Sequence, residues 1–254
     1  MSCLFSHTIS DPRISEAGLY CGKDKAPQKS NFIPSFIKEM ENLSQLVTDH
    51  NWGTQSVNIS GSVPIYGFAQ CFQDLSHTDC LLCYAASRTK LPRCLPSLSA
   101  RIYLDGCFLR YDNYSFYSEE TDPLRDKVIC TSSEKLEVQM ERSVERVVDV
   151  VAKDAGGGGG FAVGEVEGVY ALAQCWKTLG IDACRDCLSN AVKKVRGCLP
   201  NSEGRVLNAG CYLRYSTHKF FNEGGGKDSG NGEILCSFLI SNIVTFLIIV
   251  SNCN

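Results

Sequence analysis

Apolar residues recur at helical spacing in two long stretches of the chain. Asn31–His50 has apolar side chains every three or four positions, which places them on one face of a helix. A second stripe has the same period and consists of Leu136, Met140, Val144, Val147, Val148 and Val151. Both patterns predict an amphipathic helix. Ser132 or Ser133 is expected to cap the second one, and Gly156–Gly160 to end it.

Shorter segments follow each of these helices as matched pairs. Asp79–Leu91 and Asp182–Val195 favour further helices, whereas Arg101–Tyr111 and Arg205–Tyr215 are rich in aromatic and branched residues and favour strands. Turns after these strands would lead to partner strands at Phe116–Tyr117 and Phe220–Phe221. Helices beside antiparallel strands joined by short turns predict the α+β class.

The cysteines show that this arrangement occurs twice. The spacing C-x8-C-x2-C-x10-C-x12-C occurs in two blocks that are 104 residues apart, and a further cysteine precedes each block. The first set is Cys21, Cys71, Cys80, Cys83, Cys94 and Cys107, and the second is Cys130, Cys175, Cys184, Cys187, Cys198 and Cys211. The chain is therefore predicted to be a tandem of two domains, 17–120 and 121–223. Six cysteines allow 15 pairings, and spacing alone does not choose among them.

The number of cysteines also indicates a compartment. The chain has 15 cysteines in 254 residues, which is typical of an oxidising environment and a disulfide framework. Cys3, Cys236 and Cys253 lie outside both sets. The formal net charge of −3 argues against a general nucleic-acid-binding protein, which would have a basic face.

The two termini raise separate questions. No basic stretch, apolar run or cleavage site marks a signal peptide at the N-terminus, so an incomplete gene model or an alternative product is expected. After a glycine-rich linker at 224–233, residues 234–250 form an uncharged and mostly apolar segment. As a helix it would be about 25 Å long, which is at the lower limit for a membrane span. A lipid-anchor signal and a read-through artefact are the alternatives.

Catalytic and metal sites are not indicated. The two C-x2-C pairs lie in separate repeats, whereas a zinc ribbon needs two such pairs close together, and neither pair has the context of a thioredoxin motif. The run Gly156–Gly160 lacks the strand and the Gly-Lys-Ser/Thr ending of a phosphate loop. The four histidines occupy unrelated positions in the two repeats. No cofactor is therefore expected.

Asn42, Asn58 and Asn113 begin Asn-x-Ser sequons and are predicted glycosylation sites.

Three motifs resemble a known family. The cysteine block, the lead-in Tyr-x-x-Ala-Gln-Cys at Tyr66 and Tyr170, and the segment Gly-Cys-aromatic-Leu-Arg-Tyr at Gly106 and Gly210 are similar to the plant stress-antifungal domain, also called ginkbilobin-homologous. The tandem resembles the ectodomain of cysteine-rich receptor-like kinases. Plasmodesmata-located proteins share the tandem and a single span but have no kinase. The resemblance covers about 17–223.

This resemblance implies a fold and a disulfide pattern. Each domain would be a five-stranded antiparallel sheet with two helices and three disulfides, followed at the end of the chain by the apolar helix. The implied pairs join the first cysteine to the fifth, the second to the third and the fourth to the sixth. In this chain they are Cys21–Cys94, Cys71–Cys80 and Cys83–Cys107, then Cys130–Cys198, Cys175–Cys184 and Cys187–Cys211.

A carbohydrate site is also implied, because the founding antifungal member binds mannose through an Asn, an Arg and a Glu. The corresponding residues here are Gly22, Arg101 and Asp112 in the first domain and Thr131, Arg205 and Ser216 in the second. Only the arginines match fully, and Asp112 is a shortened acid. Candidate carbohydrate-binding residues are therefore Arg101, Asp112 and Arg205.

The lead hypothesis is a non-catalytic extracellular interaction module of the receptor-like kinase type that acts in plant stress or defence signalling. Its partner would be an unknown ligand or a sister receptor ectodomain, and it would lie at the extracellular face of the plasma membrane or in the apoplast. A secreted antifungal, mannose-binding lectin and a fragment of a Ser/Thr receptor kinase are the alternatives. Kinase activity would belong to residues that this chain does not contain.

Overall fold

The structure is a computed structural model, and it describes residues 11–28, 30–60 and 62–222, without the side chains of 132–134. The described residues fall into two compact units, one ending at Tyr114 and one spanning Ser115–Asn222. Each unit has its own hydrophobic core and its own five-stranded sheet.

The first domain alternates strands with two helices. Its elements are β1 (Glu16–Cys21), α1 (Phe32–His50), β2 (Trp52–Val57), β3 (Ile65–Cys71), α2 (His77–Lys90), β4 (Ala100–Leu104) and β5 (Cys107–Asp112). The strands pair in the order β1-β4-β5-β3-β2, and every pairing is antiparallel. The apolar face of α1 packs on this sheet through Phe36, Met40, Leu43 and Val47, which are fully buried.

The second domain repeats this topology. Its elements are β6 (Lys127–Lys135), α3 (Val138–Asp154), β7 (Phe161–Val166), β8 (Val169–Cys175), α4 (Ile181–Val195), β9 (Asn201–Leu207) and β10 (Cys211–Ser216). The strand order β6-β9-β10-β8-β7 corresponds to that of the first domain. The predicted α+β class, with two five-stranded antiparallel sheets, helices and three disulfides per domain, is confirmed.

Two details of the predicted strands are wrong. Arg101–Tyr111 is not one strand but the hairpin β4–β5, because Asp105 and Gly106 turn the chain, and Arg205–Tyr215 is likewise the hairpin β9–β10. The aromatic pairs expected to form partner strands are irregular segments. Phe116 is buried, and Phe221 packs edge-on against Tyr170 at a centroid distance of 6.1 Å. Burial of the rings therefore explains their apolar character.

The start of α3 also differs from the prediction. Strand β6 continues through Ser132 and Ser133 to Lys135, so neither serine caps the helix. Glu137 occupies the N-cap position and makes no capping hydrogen bond with its side chain. At the other end the glycine run follows the helix as expected. Gly158 and Gly160 have φ angles of 126° and 69°, which a residue with a side chain rarely adopts.

Disulfides connect helices and turns to the sheets. The structure contains Cys21–Cys94, Cys71–Cys80 and Cys83–Cys107 in the first domain, and Cys130–Cys198, Cys175–Cys184 and Cys187–Cys211 in the second. These are the pairs that the family resemblance implies. Cys83–Cys107 joins α2 to β5, so it holds the shorter helix on the central part of the sheet.

The predicted linker at 224–233, the apolar segment at 234–250 and the three remaining cysteines lie outside the described residues. No helix within 11–222 combines the length and the apolar character needed to cross a membrane.

Candidate ligand-binding face

Each domain carries two arginines on the sheet face opposite the helices. Ile102 and Leu109 point into the core of the first domain, so their neighbours Arg101 and Arg110 lie on the other face. The strand register places Arg101 directly opposite Arg110, and it places Arg205 opposite Arg214 in the second domain. Two cations this close need a carboxylate nearby, because like charges opposite each other destabilise a sheet.

In the first domain that carboxylate is Asp112. Arg110 donates a 2.9 Å hydrogen bond to Asp112 Oδ2, and the two side chains are 1% and 2% exposed. Arg101 is 1% exposed, and its guanidinium lies 5.8 Å from the ring centroid of Tyr20. Burial raises the pKa of the Tyr20 hydroxyl, and the positive charge of Arg101 lowers it in part. The first-domain cluster is thus a buried arrangement of paired charges and aromatic rings.

In the second domain the carboxylate is Glu203. One of its oxygens accepts a hydrogen bond from Arg205 at 2.6 Å and forms an ion pair with Arg214 at 3.0 Å. The guanidinium of Arg214 also lies 4.0 Å from the ring centroid of Phe220. The side chains of Arg205, Arg214 and Glu203 are 17%, 10% and 18% exposed, so this cluster remains in partial contact with solvent.

The acid therefore comes from a different strand in each domain. At the repeat distance of 104 residues, Asp112 of β5 corresponds to Ser216, and Glu203 of β9 corresponds to Ser99. Sequence reasoning named Arg101, Asp112 and Arg205 as candidate carbohydrate-binding residues but missed Glu203, since it looked for the acid only at the position of Asp112. The alternation of side chains along β9, which puts Glu203 and Arg205 on one face, was the signal that could have found it.

Arg110 lies directly opposite Arg101 and two residues before Asp112 on the same strand. The resemblance also implied Gly22 and Thr131. Gly22 directly follows the last paired residue of β1, and Thr131 lies in β6. A Cβ atom on Gly22 would be 2.2 Å from the Ser99 hydroxyl oxygen, so an Asn at this position, as in the antifungal member, would require Ser99 to move.

A second feature of the first domain is a buried carboxylate that sequence reasoning also missed. Glu39 lies on α1, is 0% exposed, and neither of its carboxylate oxygens has a hydrogen-bond partner among the described residues. It faces β3 at Gly67, where an added Cβ atom would be 2.3 Å from Glu39 Oε1. Burial raises the pKa of this carboxyl from 4.5 to about 8. The second domain has Ala171 in place of Gly67, and the alignment of the buried residues of α1 and α3 puts Val147 in place of Glu39.

No metal centre is evident among the described residues. No group of three or more potential ligands among His, Cys, Asp and Glu in this part of the chain could hold a metal ion. The C-x2-C cysteines each form a disulfide with another cysteine, which leaves no thiolate of these pairs for zinc.

The three sequons differ in their surroundings. Asn58 is exposed in the loop between β2 and β3. Asn113 follows β5 and is half-buried, as is Asn42 in the middle of α1. Of these three side chains, Asn58 is the most accessible.

Fold and sites together define a tandem of disulfide-braced α+β domains. The salt stress response/antifungal family model matches residues 20–114 and 129–218. The chain therefore belongs to this family and carries two copies of its domain, which confirms the resemblance predicted from the cysteine pattern.

Relatives and solved structures agree with this assignment. Cysteine-rich receptor-like protein kinase 42 of Arabidopsis thaliana is 47% identical over 221 residues, which are 87% of this chain and 33% of the relative. Plasmodesmata-located protein 6 of the same plant is 29% identical over 84% of this chain and 76% of that protein. The crystal structure of the tandem DUF26 ectodomain of the Arabidopsis thaliana cysteine-rich receptor-like protein PDLP8 covers 80% of this chain and 98% of its own, with a TM-score of 0.71 and 23% identity.

The chain spans about a third of the length of the curated receptor-like kinases that it matches first. The matched part corresponds to the ectodomain fold of the solved structures. This homology supports an extracellular or plasma-membrane location.

Proposed function

We propose that this chain acts as the extracellular recognition part of a receptor-like kinase type protein in plant stress or defence signalling. The single observation that carries this proposal is the intact tandem of two family domains, each with three disulfides. Six cross-links keep such domains folded outside the cell, where disulfides persist. The tandem would bind a ligand or a sister ectodomain, and the signal would be passed on by proximity.

The finer features of this role are proposals of the same kind. The two domains would comprise residues 17–120 and 121–223 and would be followed by the linker at 224–233. All three parts would lie outside the cell. Residues 234–250 would tether it to the plasma membrane, although a form released into the apoplast is also compatible with the sequence. Glycans would be attached first at Asn58, whose side chain is exposed.

Association with receptors of the same family tests the proposal. The tagged chain is co-expressed with full-length cysteine-rich receptor-like kinases at equal surface levels, and the receptors are precipitated. We expect the chain to co-precipitate and to reduce receptor output, because it would compete with the receptor ectodomains for their partners. The matched control is Cys83→Ser with Cys107→Ser, which removes the link between α2 and β5. If the intact chain does not associate, or associates no better than this variant, the proposal is wrong.

Carbohydrate binding is the second candidate function, and one observation favours it. In the second domain, Arg205 and Glu203 form a 2.6 Å pair that is partly exposed, and such a pair can share hydrogen bonds with sugar hydroxyls. The buried Arg101 and Asp112 of the first domain offer no comparable access. Calorimetry with mannose decides the question. Binding that is lost in Arg205→Gln supports a lectin, whereas no heat at millimolar sugar refutes it.

A further inference from the structure

A surface groove separates the two helices of the second domain. It lies between α3 and α4 and has a volume of about 390 Å³. Its floor is apolar, since Leu188 and Val192 are buried there. This volume is within the range of small-molecule sites in proteins, which is roughly 300–1,000 Å³.

The first domain shows why this groove is open. At the repeat distance of 104 residues, Leu188 and Val192 correspond to Tyr84 and Arg88 of α2. Both larger side chains cross from α2 to α1. The Tyr84 hydroxyl donates to the carbonyl oxygen of Met40 at 3.4 Å, and Arg88 donates to the Ser44 hydroxyl oxygen at 2.7 Å. The smaller, apolar residues of α4 make no such hydrogen bonds to α3, and a groove remains between the two helices.

The rim of the groove is basic, although the chain as a whole has a formal net charge of −3. Four cations and one acid line it. Arg196 forms a 2.6 Å ion pair with that acid, Asp149, whereas Lys153 and Lys193 are exposed and have no ion-pair partner among the described residues. At the repeat distance of 104 residues, which relates α4 to α2, the first domain has Thr89 in place of Lys193. The charge of Lys193 is thus specific to the second domain.

We propose that the groove between α3 and α4 binds a small amphipathic carboxylate. The apolar body of the ligand would cover Leu188 and Val192, and its carboxylate would lie towards Lys153 and Lys193. The volume favours a small molecule over a folded partner, and charge complementarity favours an anion. The groove is on the helix side of the second domain, so this inference is independent of the arginine cluster and of any association with receptors.

The test uses the full-length chain with its disulfides formed and two probes of equal shape. 2-Naphthoate carries the carboxylate, and 2-naphthamide is its neutral counterpart. Titrations followed by two-dimensional NMR give both the affinity and the position of binding. We expect 2-naphthoate to bind at least about threefold tighter than 2-naphthamide, because each exposed ion pair adds only a modest free energy. Shifted resonances should belong to α3 and α4.

Two double variants distinguish the contribution of the lysine charges to binding from that of the open volume of the groove. Lys153→Gln with Lys193→Gln changes exposed side chains only, and it should weaken 2-naphthoate binding by about threefold or more while leaving 2-naphthamide unchanged. Leu188→Tyr with Val192→Arg introduces the residues of the first domain, whose larger side chains should fill the groove. This variant should bind both probes more weakly, although it adds a positive charge. The charge-matched control is Lys127→Gln with Lys135→Gln, on β6 away from the groove. This control should bind like the wild type.

Several results would overturn the inference. It is wrong if neither naphthalene compound binds at about 10 mM, which corresponds to negligible affinity. It is also wrong if the acid and the amide bind equally, or if the β6 control loses as much affinity as the groove variant. Binding of an acidic peptide without binding of 2-naphthoate would assign the groove to a different class of ligand, and would equally refute the proposal.

Discussion

The buried carboxylate of Glu39 should make the first domain less stable as the pH rises. Its side chain is 0% exposed, and removal from water raises its pKa from 4.5 to about 8. In the unfolded chain the carboxyl loses its proton near its ordinary pKa. Between these two values the folded state therefore holds one proton more than the unfolded state, and stability decreases with pH.

The size of the effect follows from this shift. Each pKa unit corresponds to about 1.4 kcal/mol of differential stability. Below pH 4.5 both states are protonated and the contribution is fully retained, whereas above about pH 8 the loss is complete. Because local relaxation and water entry reduce such penalties, we expect a loss on the order of 2–4 kcal/mol between pH 5 and pH 8.

Glu39→Gln isolates this contribution, since the amide has the same shape and does not ionise. At pH 8 we expect the variant to be more stable than the wild type by about 2–4 kcal/mol, and at pH 5 the two should agree within about 1 kcal/mol. The assay is urea denaturation with disulfides intact, read by hydrogen-exchange labelling of peptides from α1 so that only the first domain is reported.

Glu41→Gln is the matched control on the same helix. The Glu41 side chain is 58% exposed beside Lys38, so its replacement should change stability little and equally at both pH values. The reasoning about Glu39 is refuted if Glu39→Gln shifts stability by the same amount at pH 5 and pH 8. It is also refuted if the control reproduces the pH-dependent difference.

Three further predictions concern packing, charge and cross-links. Gly67→Ala should destabilise the first domain by about 1–3 kcal/mol in urea denaturation, because the new methyl group overlaps the buried carboxylate and lies 2.8 Å from Leu43 Cδ1, and adding Glu39→Ser should recover part of the loss. Glu203→Ser should lower the melting temperature of the second domain, and Ser216→Asp in the same chain should restore it by supplying the acid from β10 as in the first domain. Replacing Cys21–Cys94 by alanines should cost about 2 kcal/mol more than replacing Cys71–Cys80, since they close loops of 73 and 9 residues.

Each of these predictions has an outcome that would contradict it. If Gly67→Ala destabilises the domain by the same amount in the presence of Glu39→Ser, the overlap with Glu39 is not the cause of the destabilisation. If the aspartate on β10 fails to restore the melting temperature, the position of the acid matters and not only its charge. Equal costs for the two disulfides would show that the chain-entropy model does not describe this domain.

Helices and the repeat were largely predictable, because both depend on local spacing. The predicted helix Asn31–His50 agrees with α1 to within one residue, and Asp182–Val195 agrees with α4 to the same extent. The strands were predicted less well. A stretch of aromatic and branched residues does not reveal where a hairpin turns, so β4 and β5 were merged into one strand, and buried aromatic rings outside the sheet were taken for strands.

By itself the sequence determined the tandem, the α+β class, the family and the disulfide-braced character of the chain. Hydrophobic periodicity and cysteine spacing are properties of the sequence, so they can be recognised without a structure. Only the tertiary structure decided which side chains meet. It placed Glu203 between two arginines, buried Glu39 against Gly67, and left the groove between α3 and α4 open beside Leu188. The physical reason is that burial and charge pairing depend on strand register and helix packing between segments distant along the chain, and no local pattern records them.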